Sequence, residues 1–250
     1  MLIDVLTLFP DYFHSPLDVS MIKIAIETGL VEIELHDFRK HAESKHSQVD
    51  DAPYGGGPGM VLMLQPIVDA LESLIDKRLK DGFERSRLIL LTPEGKTFTQ
   101  EMARELSREE HIILVSGHYE GFDARLTQLF PFEEISIGDY VLSGGEAAAL
   151  VIIETIIREI PGVLGNPDSI EAESFRSGLL DYPVYTRPPE FRNLKVPEIL
   201  LSGNHKLIAE WRLKESIKTT LKKRPDLIDD SKLDETGRRL VDEIKRELSE

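Results

Sequence analysis

Apolar residues recur along the chain in two rhythms, and their alternation predicts a layered α/β fold. Five short runs read as strands: residues 1–8, 31–35, 87–92, 111–116 and 134–138. The second alternates Val31, Ile33 and Leu35 with acids, as a half-buried strand does, whereas 87–92 and 111–116 are compact enough to be buried on both faces of a parallel sheet. Stretches of helical period lie between them. Leu17, Met21, Ile24 and Ala25 share one face of a first helix; Ile67, Val68, Leu71, Leu74 and Ile75 form the stripe of a second; Met102 and Leu106 mark a third. A polar, glycine-rich loop is expected over 41–59, and a long apolar helix over 145–160. Strands alternating with helices imply a parallel sheet with helices on both faces.

Beyond Ile160 the character changes. Pro161-Gly162-Val163-Leu164-Gly165-Asn166-Pro167-Asp168 is too rich in Pro, Gly and Asn for a regular element and reads as a linker. A loop rich in Tyr, Pro and Arg follows over 182–197, then an amphipathic helix over 206–222 and a last helix carrying Leu240, Val241, Ile244 and Leu248. The expected organisation is a sheet domain over 1–160, a linker over 161–174 and a small helical domain over 175–250. Trp211 falls in helical register with Ile208 and near Ile217, which predicts a place in the core of the small domain.

Composition narrows the setting. The 250 residues are 41% hydrophobic, enough for a substantial core, and contain no cysteine, which removes disulfides and thiolate metal sites and fits a reducing compartment. The first apolar run carries Asp4 and lacks the basic leader and cleavage site of a signal peptide, and residues 147–160 are interrupted by Glu154 and Arg158. A cytoplasmic protein without a membrane span is expected. A net charge of −15 argues at first sight against a nucleic-acid partner, yet residues 176–224 hold 11 Lys/Arg against 5 Asp/Glu. That stretch is either a phosphate-binding face or a solvated helix surface. No carboxylate cluster in the sequence declares a metal site.

Three glycine-bearing turns follow three predicted strands: Thr92-Pro93-Glu94-Gly95, Gly117-His118-Tyr119-Glu120-Gly121, and Gly138 onward to Gly144-Gly145. Ligands of open parallel sheets bind outside the carboxyl ends of the strands, where such turns bring backbone groups close. Each alone is equally a tight turn. None matches GxGxxG or GxxxxGK[ST], which disfavours ordinary NAD and ATP sites. Tyr54-Gly55-Gly56-Gly57-Pro58-Gly59-Met60 follows no strand and reads as a lid, a surface for a flat base, or a plain flexible loop.

Together these strings resemble the bacterial tRNA (guanine-N1)-methyltransferases of the SPOUT superfamily. The resemblance runs almost end to end. It is carried by Leu8-Phe9-Pro10, Tyr54 to Met60, Gly117 with Tyr119-Glu120-Gly121, and Ser136-Ile137-Gly138-Asp139-Tyr140-Val141-Leu142-Ser143-Gly144-Gly145-Glu146. Further carriers are Ile160 to Gly165, Gly178-Leu179-Leu180-Asp181, Tyr185-Thr186-Arg187-Pro188, and Leu201-Ser202-Gly203-Asn204-His205 with Trp211-Arg212. The resemblance implies a deep trefoil knot in the first domain, a bent S-adenosylmethionine held in its loops, and a homodimer with each active site at the subunit interface. Helix 145–160 could contribute to that interface or simply pack in the core.

The implied reaction methylates N1 of the guanosine immediately 3′ of the tRNA anticodon, in a GpG context. N1 carries a proton in neutral guanine, so a general base is required, and charge building on O6 calls for a cation or donor. The family's base is an aspartate before a Ser-Phe pair; here Glu173 stands at that position, a departure that keeps the carboxylate and adds a methylene. Glu171 and Asp168 are nearby substitutes. Arg158 matches the arginine that faces O6. The cofactor residues implied are Leu91, Thr92, Pro93, Gly117, Tyr119, Glu120, Gly121, Ser136, Ile137, Gly138, Asp139, Tyr140, Val141, Leu142, Gly144 and Gly145, with Glu120 near the methionine amine. For tRNA they are Tyr54, Gly55, Gly57, Gly59, Arg187, His205, Arg212 and Lys214. Ser116 and Ala148 depart from the Cys and Pro that family members carry there. Two rival readings remain: a SPOUT enzyme acting on another RNA target, and a non-catalytic RNA-binding relative.

Overall fold

The computed structural model describes residues 1–164, 174–175 and 178–247, and the chain divides into two compact units, Met1–Gly165 and Asn166–Glu250. The first unit is built on a five-stranded sheet of order β2-β1-β6-β5-β7, parallel at every pairing. Its strands are β1 (Leu2–Thr7), β2 (Glu32–Asp37), β5 (Arg87–Thr97), β6 (His111–Ser116) and β7 (Glu133–Ser136). A separate antiparallel pair joins β3 (Asp50–Asp51) to β4 (Val61–Leu62).

The period of two along each strand sorts its side chains onto two cores. Ile3 and Val5, Ile89 and Leu91, and Ile112 and Leu114 enter the core on one face, where they meet α2 (Ser20–Glu27), α4 (Gln100–Leu106) and α6 (Glu146–Glu159). Leu6, Leu88, Leu90, Ile113 and Val115 enter the other, against α3 (Leu64–Lys80) and α5 (Leu126–Leu129). Helices thus cover both faces of the sheet. Ala148, Ala149, Ile152, Ile153, Ile156 and Ile157 of α6 are buried, while Val151 is 46% exposed, so packing on the sheet accounts for most of its apolar length.

Three expectations for this unit need correction. The first helix is broken into α1 (His14–Leu17) and α2, which resets the helical phase; Ile22 and Ala25 are therefore buried and Ile24 is exposed. The loop 41–59 contains β3, preceded by the buried Val49. β5 runs on through Thr97, because residues 92–95 form a bulge after which the strand pairs again: Leu91 and Lys96 both stand opposite Ile135.

In the second unit, α7 (Glu198–Leu201), α8 (His205–Lys223) and α9 (Glu235–Glu247) follow a short hairpin of β8 (Glu190–Phe191) and β9 (Leu194–Lys195). The hairpin lies inside the stretch expected to be a loop. Arg192 and Asn193 both take positive φ, 50° and 64°, as a two-residue type I′ turn requires. The Asn204 side chain accepts the Leu207 N–H and starts α8. Leu179, Ile217, Val241 and Ile244 form the core of this unit. Leu248 lies outside the described residues.

Candidate functional site

Strands β6, β5 and β7 are neighbours and parallel, so the loops that leave β6 and β7 meet the bulge inside β5 in one place. The bulge 92–95, the turn 117–122 and the loop 137–145 surround a cleft of about 510 Å³. Two of these loops are joined directly. The Gly145 N–H donates to the Gly117 carbonyl at 2.8 Å, and His118 bridges to Gly144. A Cβ on Gly145 would stand 2.9 Å from the Ser116 Cα, so α6 can begin this close to the end of β6 only with glycine there.

The turn after β6 is held in an unusual conformation. Tyr119 adopts φ 59°, a left-handed geometry that non-glycine residues rarely take. Its ring packs on His118 with centroids 5.0 Å apart, His118 packs on Phe9 at 5.0 Å, and the Arg39 guanidinium lies 5.0 Å from the Phe9 ring. The glycine loop 54–60 is tied to the same turn: the Glu120 N–H donates to the Met60 carbonyl and the Leu62 N–H to the Gly121 carbonyl, each at 2.9 Å.

Leu91, Thr92, Pro93, Gly117, Tyr119, Glu120, Gly121, Ser136, Ile137, Gly138, Tyr140, Val141, Leu142, Gly144 and Gly145 all line the cleft. Asp139 is exposed and is not among its lining residues. The cleft also takes in His118, Phe122, Asp123, Thr127, Ser143 and Ala148, for which the sequence offered no signal beyond proximity to the glycine turns. Its rim is apolar and open: Val141 is 86% exposed, and Tyr140 and Leu142 are exposed beside it.

Charge and polarity are unevenly distributed here. The Ser116 hydroxyl and the His118 Nδ1 are buried with no hydrogen-bond partner among the described residues. Glu146, also buried, accepts from the Thr7 hydroxyl at 2.8 Å. Asp123 is held by Arg125 through bonds of 2.6 and 2.9 Å, and this guanidinium lowers its carboxyl to about 2. Arg158 is half-buried on α6 and does not line the cleft. Glu173, Glu171 and Asp168 lie outside the described residues. Tyr54, Gly55, Gly57 and Gly59 are exposed in the glycine loop.

On β1 and β2, away from the residues that line the cleft, the fold assembles a polar cluster that the sequence did not announce. One ligand atom each from Asp4, Glu34 and His36 lies within 4.8 Å of the others. The Arg78 guanidinium already occupies it, 2.6 Å from Asp4 and 2.8 Å from Glu34. A metal ion there would face a fixed positive charge.

In the second unit, Arg187 and Arg212 line a separate cleft of about 910 Å³, and His205 is exposed at the start of α8. The Lys214 ammonium is shared with Glu243 and Glu247 at 3.0 and 3.2 Å, and these carboxylates raise its pKa. Trp211 does not join the core with Ile217. Six residues of helix separate the two by roughly 120° of rotation, and Trp211 instead lines the second cleft with Ile208.

A family model described as tRNA (Guanine-1)-methyltransferase TrmD matches residues 1–230. The tRNA (guanine-N(1)-)-methyltransferase of Geobacillus kaustophilus is 52% identical over 247 residues, covering 99% of this chain and 99% of that protein. Proteins of the same name from Limosilactobacillus fermentum and Dehalococcoides mccartyi are 49% identical over 248 residues and 50% identical over 247; each comparison covers 99% of this chain and 98% of the relative. No helix among the described residues is long and apolar enough to cross a membrane.

Proposed function

The chain belongs to the tRNA (guanine-1)-methyltransferase family, TrmD, and from that membership we propose that it transfers a methyl group from S-adenosylmethionine to N1 of a guanosine in tRNA. The guanosine is the one immediately 3′ of the anticodon, preceded by another guanosine. The observation that carries this reading is the single cleft enclosed by the loops that leave β5, β6 and β7. The rest of the proposal follows the family: a trefoil knot formed by the loops around β6 and β7, a linker over 161–174, a tRNA-binding helical domain over 175–250, a cytoplasmic homodimer, and active sites at the subunit interface.

The residues of the cleft suit the cofactor. Leu91, Ile137 and Leu142 offer apolar walls for an adenine, and glycines 117, 138, 144 and 145 line the cleft without side chains that would fill it. S-adenosylmethionine, when bound, supplies an electrophilic methyl group on a positively charged sulfur. Glu120 pairs with its amino group and fixes the methionine end. Tyr140 and Val141, exposed at the rim, cover the cleft once it is filled and exclude water from the reacting centre.

Glu173 takes the N1 proton of the target guanine, which must leave its stack to reach the methyl group. Arg158 stabilises the negative charge that develops on O6. Incubation with labelled S-adenosylmethionine and unmodified tRNAs differing only at the two guanosines tests the assignment. Label at N1 of the second guanosine is expected; transfer to another position would make the chain an enzyme with a different target, and none at all a non-catalytic relative. Glu173→Gln should lower turnover by about 10²-fold or more while cofactor affinity is kept, and near-normal rates would move the base to another residue.

A further inference from the structure

The string Leu8-Phe9-Pro10 and the threonine before it have no part in the reaction as assigned, and neither Thr7 nor Phe9 lines the cleft. Both nevertheless reach its walls. Thr7 continues the face of β1 that carries Ile3 and Val5 toward α6, and its hydroxyl donates to the buried Glu146 carboxylate at 2.8 Å while accepting the Phe9 N–H at 3.0 Å. A backbone N–H can only donate, so the hydroxyl proton is committed to Glu146. The Phe9 ring packs on His118 with centroids 5.0 Å apart, and His118 packs in turn on Tyr119. Arg39 completes the row: its guanidinium lies 5.0 Å from the Phe9 ring and donates to the Leu8 carbonyl at 2.6 Å. The two arms close on one residue. A Cβ at Gly144 would run into both the Glu146 carboxylate and the His118 ring, and His118 also bridges to Gly144 through the main chain.

We propose that Thr7 and Phe9 are positioning residues for the cofactor, which act through Glu146 and His118 to clamp Gly144 against the turn 117–121. The proposal rests on the reading that the cleft takes S-adenosylmethionine, and it adds a support that lies outside the cleft. Tyr119, at φ 59°, needs such a support, because a strained residue persists only where its surroundings over-determine it. The row from Arg39 to Tyr119 provides it on one side, and the Thr7–Glu146 bond fixes the start of α6 on the other. Phe9 is 39% exposed and belongs to neither apolar core, so its ring serves the contact with His118 more than the stability of the sheet.

The full-length protein is followed by amide hydrogen exchange without cofactor and by calorimetric titration with S-adenosylmethionine. Three amides report on the clamp: Glu120, which donates to Met60, Gly121, which donates to His118, and Gly145, which donates to Gly117. Phe9→Leu keeps an apolar side chain and removes the ring. It should speed exchange at these three amides, leave the paired amides of β1 and β2 protected as in the wild type, and weaken cofactor binding about fivefold. Phe9→Tyr should restore both. Thr7→Val, which deprives Glu146 of its donor, should weaken cofactor binding about tenfold, and Thr7→Ser should stay within about twofold of the wild type. Exchange that rises evenly across the sheet in Phe9→Leu, or wild-type affinity together with wild-type exchange at the three amides, would overturn the proposal. The two readings fail separately. Wild-type protein that binds no S-adenosylmethionine, with localised exchange in Phe9→Leu, defeats only the cofactor assignment; wild-type binding that neither Phe9→Leu nor Thr7→Val alters defeats only the clamp.

Discussion

The first unit contains two polar centres built on opposite principles, one near the edge where the parallel strands begin and one at the edge where they end. At the first, Asp4 of β1 is wholly buried and accepts from Arg78 at 2.6 and 2.8 Å and from the His36 and His111 Nε2 atoms at 2.7 Å each. An ionised carboxylate only accepts, so both rings must donate, and its two oxygens are saturated. At the second, Ser116 and His118 keep buried polar atoms without partners, Tyr119 sits at positive φ, and the rim is exposed. The contrast teaches where a ligand belongs. A saturated centre has nothing left to offer, whereas an open, glycine-built cleft beside a strained Tyr119 keeps room for what binds there.

The largest effect should come from breaking the saturated centre. Asp4→Ala leaves the Arg78 charge buried beneath α3 with only Glu34 and Asp81 beside it, and should cost about 3–5 kcal/mol in urea unfolding. A loss under about 1 kcal/mol would show that this centre is no more a keystone than a surface ion pair. Burial alone would raise the Asp4 pKa; the hydrogen bonds from His111, His36 and Arg78 outweigh it and hold the carboxyl well below its ordinary value of 3.8. Because the folded value is the lower one, the stabilisation is complete above about pH 4 and is lost as pH falls from there toward the folded value. The stability gap between wild type and Asp4→Asn should therefore narrow on acidification below about pH 4 and stay constant between about pH 5 and 6.

These two centres were not equally legible in the sequence. The run 111–116 marks β6 to the residue, because Ile112 to Val115 are apolar for burial on both faces and the polar His111 and Ser116 close them in. The glycine turns pointed to the carboxyl edge, where the cleft lies. By contrast, the bonds of Asp4 cross 32, 74 and 107 residues of chain, and an acid inside an apolar run gives no hint of such partners. Pro93 and Gly95 look like the end of β5, yet pairing with β7 resumes after them; a bulge is a tertiary decision, made by the neighbouring strand. Trp211 misled for a related reason. Helical period shows that residues share a helix, but not which of two neighbouring environments each side of that helix will meet.

An intermediate effect should separate strain from contact in the glycine loop. Gly56 and Gly59 share a positive φ, 76° and 82°, so alanine strains the backbone at both. Their surroundings differ. A Cβ at Gly56 meets open space, whereas one at Gly59 runs into the side chain of Glu120. If Glu120 holds the cofactor amine as proposed, Gly59→Ala should weaken S-adenosylmethionine binding about tenfold by calorimetry, equivalent to about 1.4 kcal/mol, and Gly56→Ala should leave it within about twofold. Equal losses would assign the effect to loop strain and uncouple the loop from the cofactor cleft. Shortening the acid in Gly59→Ala/Glu120→Asp should recover part of the loss, since the shorter side chain vacates the space the methyl group needs.

The smallest effect is the most direct probe of the contrast between the centres. The Ser116 hydroxyl is buried with no hydrogen-bond partner among the described residues, and a fully desolvated group left so costs the folded state about 1–3 kcal/mol. Ser116→Ala removes that unmet group at the price of a small void, so thermal stability without cofactor should stay within about 1 kcal/mol of wild type or rise. Ser116 stands one residue before the cleft-lining Gly117, so if a local shift on cofactor binding brings its hydroxyl a partner, the same substitution should weaken S-adenosylmethionine binding severalfold. The expectation is therefore weakened binding without a matching loss of stability. A variant that is less stable without ligand yet binds cofactor normally would mean that Ser116 serves the end of β6 and not the cleft, and the distinction between a satisfied centre and a waiting one would fall with it.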